Sequence, residues 1–82
     1  MANQYQLYKY VGEKIKRLRL KNNMTQDELL EKTGLTRTTL MNLEEGYQKT
    51  PIHILYDICE VIGAEPTQVL PTLDALSQFH YR

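Results

Sequence analysis

Eighty-two residues with 41% hydrophobic content suffice for one small core, which leaves little structure to enclose a catalytic cleft, so an enzyme is disfavoured. The formal net charge is zero, but Lys9, Lys14, Lys16, Arg17, Arg19 and Lys21 crowd the first quarter against Glu13 alone. Asp57, Glu60, Glu65 and Asp74 fall in the last third against Arg82, and a chain polarised in this way can turn a basic face to DNA.

From residue 5 to residue 22, Leu7, Val11, Ile15 and Leu18 recur at helical spacing, which predicts a first helix closed by Asn22 and Asn23. Thr25 and Glu28 then fit a capping box, opening a short second helix over Gln26–Thr33 with Leu29 and Leu30 available to the core. Gly34 suits its left-handed end. Thr36 can cap a third helix, Arg37–Glu45, which would turn Leu40 and Leu43 inward and stop at Gly46. Its other face carries Arg37, Thr38, Met41 and Asn42.

Thr50 followed by Pro51 reads as a cap with proline at the first helical position. The fourth helix then presents Leu55, Ile58, Cys59 and Ile62 and ends at Gly63. A short fifth helix begins at Pro66 and carries Val69 and Leu70, with Pro71 as its breaker. Leu70, Leu73, Leu76 and Phe79, spaced by three, suggest a last amphipathic segment. No strand pattern or repeat competes. The expected fold is all-α: a compact five-helix bundle with an added C-terminal helical segment.

Two short helices joined by a glycine turn form a unit whose second helix can enter a major groove, although compact helical bundles also contain such pairs. The wider pattern is more specific. Ile15-Lys16-Arg17-Leu18-Arg19, Met24 to Leu29, Gly34 to Leu40 and Leu43 to Gly46 resemble the lambda-repressor/Cro-like (XRE) helix-turn-helix regulators. The resemblance continues through Pro51, Leu55, Ile58, Ile62-Gly63 and Val69-Leu70, about three quarters of the chain.

This resemblance implies a lambda-repressor-like DNA-binding domain and places Gln26 where the family contacts a phosphate and braces a recognition residue. Arg37, Thr38 and Asn42 match positions that face base edges, with Met41 beside them. Arginine can donate two parallel bonds to guanine and asparagine can pair with adenine, while Thr38 and Met41 offer methyl groups to thymine. Arg19 and Glu44 are similar to a structural ion pair that ties the first helix to the third. Lys49 is either a phosphate contact or a solvated lysine. Leu30 stands where the family has a small residue, and Glu65 where it has a serine-like cap.

Neither metal-ligand spacing nor a phosphate loop or nucleophile motif is present, so no cofactor, metal or small-molecule ligand is expected. Six dispersed tyrosines read as core filling. A lone cysteine, the lack of an apolar leader after Met1, and charges within every apolar stretch suggest a cytoplasmic chain with no membrane span. Residues 1–82 are expected to form one domain with its core at about 8–70. The tail, 71–82, is expected to dimerise through Leu70, Leu73, Leu76 and Phe79.

The resulting expectation is a homodimeric transcription regulator on a palindromic operator, in the manner of a restriction-modification controller or phage-type repressor. The alternative is an antitoxin or interaction module that mainly binds a partner protein.

Overall fold

The computed structural model describes residues 4–79, with the Phe79 side chain and residues 80–82 outside the described set. Four α-helices follow in order: α1 (Gln4–Lys21), α2 (Gln26–Thr33), α3 (Arg37–Glu45) and α4 (Ile52–Ile62). A 3-10 turn (Pro66–Gln68), the short α5 (Leu73–Leu76) and a second 3-10 turn (Ser77–Phe79) complete the described residues. Among the described residues there is no strand.

Local chemistry sets most of these ends. Asn23 takes a φ of 56° in the turn after α1, a left-handed conformation that asparagine tolerates better than most side chains. The Thr25 hydroxyl accepts from the Glu28 amide at 3.1 Å, and Glu28 Oε1 accepts from the Thr25 amide at 3.0 Å. The Thr25 amide, together with the Thr25 hydroxyl donating to the same Oε1 at 3.1 Å, stabilises the charged form of Glu28 and holds its carboxyl below the usual range. Thr36 caps α3 in the same way, accepting from the Thr39 amide at 3.1 Å.

Val11, Ile15, Leu29, Leu40, Leu43, Leu55, Ile58, Cys59, Ile62 and Val69 form the core. Its tightest joint is between α1 and α3. A Cβ on Gly12 would lie 2.1 Å from the Leu43 carbonyl oxygen and 2.7 Å from that of Glu44, so only glycine admits this approach. Gly46 ends α3 with a φ of 78°, and a Cβ there would meet Lys9 Cα at 2.5 Å. Leu30 is half-buried at the core's rim. Burial and the nearby Glu65 charge push the Cys59 thiol up, which keeps it a small apolar filler.

Three expectations are corrected. Helix α4 begins at Ile52 with Pro51 as its N-cap residue, and Thr50 lies outside it with a buried Oγ1 that has no hydrogen-bond partner among the described residues. The segment opening at Pro66 is one 3-10 turn instead of an α-helix. Pro71 follows too soon for a nucleated α-helix to repay its ordering cost, and Glu65 is tied by its amide to Gln68 Oε1 at 2.8 Å. The tyrosines fill little of the core: Tyr5, Tyr47 and Tyr56 are exposed and Tyr8 and Tyr10 half-buried.

The C-terminal segment is capped by Thr72, whose hydroxyl accepts from the Ala75 amide at 3.1 Å. Leu70 and Leu73 point to solvent, Leu73 with 83% exposure, whereas Leu76 is half-buried. Among the described residues no helix is long and apolar enough to cross a membrane.

Candidate nucleic-acid interface

Helix α3 turns Leu40 and Leu43 into the core, and this register leaves Arg37, Thr38 and Met41 exposed with Asn42 half-buried at the edge of the same face. Four side chains of base-reading chemistry therefore share one side of a helix that packs against both α1 and α2.

The base of α3 is fixed by charge. Arg19 Nε donates to Glu44 Oε2 at 2.7 Å and Arg19 Nη2 to Glu44 Oε1 at 3.1 Å, with both side chains buried. Arg19 Nη1 also donates to the Met24 carbonyl at 2.9 Å. Gln26 Nε2 adds a third bond to Glu44, reaching Oε1 at 3.1 Å. One carboxylate on α3 thus gathers α1 and the first turn of α2, and Arg19 is consumed inside the fold.

Two side chains that the sequence reading passed over complete this surface. Arg37 Nη2 donates to Asp27 Oδ1 across the turn between α2 and α3, so Arg37 is met by Asp27 and not by Gln26. Asn42 Nδ2 donates to Gln48 Oε1 at 3.4 Å, beside the exposed Lys49. A carboxylate at the second position of α2 facing a cation at the first position of α3 was the available sign of the first. For Gln48 no local rule relates a loop residue to a helix face.

The rest of the basic run lies along α1. Lys9, Lys16, Arg17 and Lys21 are exposed, and Lys14 holds its ammonium 5.5 Å from the centre of the Tyr10 ring. Among the described residues no group of His, Cys, Asp and Glu is arranged to hold a metal ion.

The profile of the helix-turn-helix domain family matches residues 12–73. The chain belongs to the helix-turn-helix family. The chain is also similar to an Archaeoglobus fulgidus protein described as an uncharacterised HTH-type transcriptional regulator. That protein is 38% identical over 52 residues, which cover 63% of this chain and 73% of the relative. The helix-turn-helix fold is shared with the clp gene regulator ClgR from C. glutamicum: TM-score 0.76, 24% identity, 93% of this chain and 96% of that one. It is also shared with the restriction-modification controller protein C.AhdI from Aeromonas hydrophila: TM-score 0.77, 19% identity, 83% and 99% of the two chains.

Proposed function

We propose that this helix-turn-helix chain is a cytoplasmic transcription regulator that reads a two-fold symmetric operator as a homodimer. The observation that carries the reading is the outer face of α3, where Arg37, Thr38, Met41 and Asn42 project while the helix base is locked by the buried Arg19–Glu44 pair. A rigid helix so presented enters the major groove, with Arg37 donating to guanine and Asn42 to adenine. Gln26, held beside Glu44, and Lys49, in the loop after α3, serve as phosphate contacts.

Dimerisation follows from the reach of one recognition helix, which covers few base pairs; paired half-sites multiply specificity. Leu70 and Leu73 are exposed apolar side chains on the C-terminal side and serve as the pairing surface together with the half-buried Leu76 and, from its spacing in the sequence alone, Phe79. A restriction-modification controller or a phage-type repressor is the kind of regulator this reading favours.

Anisotropy titration of the chain on duplex from its own upstream region, against random duplex, tests the reading. Affinity is expected to favour the upstream duplex and to fall steeply with salt as counterions are released. Binding with neither preference nor salt dependence refutes it.

A further inference from the structure

We infer that Asp27 is a specificity-determining residue that orients Arg37 for a guanine edge and withholds it from phosphate. The inference rests on the DNA-reading role of α3.

Arg37 opens α3, whose first turn contains no acidic residue. A cation there faces the positive end of the helix dipole, an unfavourable place in the free protein. Asp27, in the first turn of α2, supplies the missing carboxylate: its Oδ1 accepts from Arg37 Nη2. The neighbouring Glu28 is occupied by Thr25 in the capping box, so the two adjacent carboxylates have separate tasks.

The pair is too exposed to be justified by stability. Its side chains are 54% and 73% exposed, and exposed ion pairs change a folding equilibrium by about five-fold at most. What Asp27 does change is the presentation of the guanidinium. Of the five donors of an arginine, one goes to Asp27, and the remainder include a parallel pair for guanine O6 and N7. Those acceptors are uncharged, so the carboxylate can stay in place while they are engaged. A phosphate is an anion, and Asp27 repels it when it approaches the same guanidinium. The tip of α3 is therefore electrically neutral toward the backbone but retains its hydrogen-bonding fork for a base.

The test uses the full chain and a duplex enriched by it from a randomised library, with random duplex as the comparison. Asp27→Ala, Asp27→Asn, Arg37→Ala and the double Asp27→Ala/Arg37→Ala variant are titrated by anisotropy at about 50 to 200 mM salt, after circular dichroism has shown unchanged helix content. For Asp27→Ala, binding to random duplex should tighten several-fold, with a salt slope steeper by about one. The enriched-to-random ratio should fall on the order of ten-fold, and replacing the contacted guanine with 7-deazaguanine should no longer matter. Asp27→Asn should gain the same affinity for random duplex but keep part of the ratio. In the Arg37→Ala background, Asp27→Ala should leave the ratio unchanged.

An Asp27→Ala ratio within two-fold of wild type, or an equal loss of ratio in the Arg37→Ala background, overturns the inference. If the wild-type chain enriches no duplex at all, the DNA-reading role itself fails, and this shows before any variant is made.

Discussion

Arg19 and Glu44 are both buried at the joint of three helices, and their value to the fold is asymmetric. Forming such a pair repays its desolvation only in part, but removing one partner leaves the other charge buried without compensation. Arg19→Ala and Glu44→Ala should each lower unfolding free energy by about 3–5 kcal/mol in urea titrations, whereas Arg19→Met with Glu44→Leu should cost less than either. A cost under 1 kcal/mol for the single variants would place the pair in water. Thr50 presents the opposite case, a buried hydroxyl with no partner among the described residues. Thr50→Val keeps the shape and removes the orphan, so it should raise stability by about 1 kcal/mol. A loss of stability would mean that the hydroxyl is satisfied in solution.

Among the elements, the contact between α1 and α3 depends on Gly12, where a methyl group would collide with two backbone oxygens that cannot rotate away. Gly12→Ala should destabilise by about 1–3 kcal/mol or more, read as a lower thermal midpoint with helix content largely retained below it. An unchanged midpoint would show that the two helices are not in backbone contact. The sequence displays the caps of α2 and α3, because Thr25, Glu28, Thr36 and Gly34 act within one turn of themselves. It does not display the role of Gly12, since periodicity reveals that a helix has an inner face but not how closely another backbone approaches it. Thr50-Pro51 was misread for a related reason: threonine before proline suits either a cap or a buried position one residue earlier, and packing decides between them. In the interface, α3's outward side chains were legible from the register of Leu40 and Leu43. Gln48 was not, because its partner is reached across a loop, and Asp27 shows only as a carboxylate early in α2 set against the cation that opens α3.

For the whole molecule, a net charge of zero becomes compatible with DNA recognition once its cations are placed. Arg19 is internal and Arg37 is paired with Asp27, while Lys9, Lys16, Arg17 and Lys21 of α1, Lys32 of α2 and Lys49 stay exposed for the backbone contacts that the proposed reading requires. Pairing of two chains is the other molecular property at stake. Leu73→Gln with Leu76→Gln should yield folded monomers in sedimentation at tens of micromolar and weaken operator binding far more than it lowers stability. A wild-type chain that sediments as a monomer, both free and on DNA, would exclude the dimer. The most direct test of the central claim, that two copies of α3 read the major groove, is interference by guanine N7 methylation on a duplex enriched by the chain. Interfering guanines should form two clusters centred about 10 base pairs apart, or a multiple of that, on one face of the duplex. Binding that is indifferent to N7 methylation at every guanine would contradict the account.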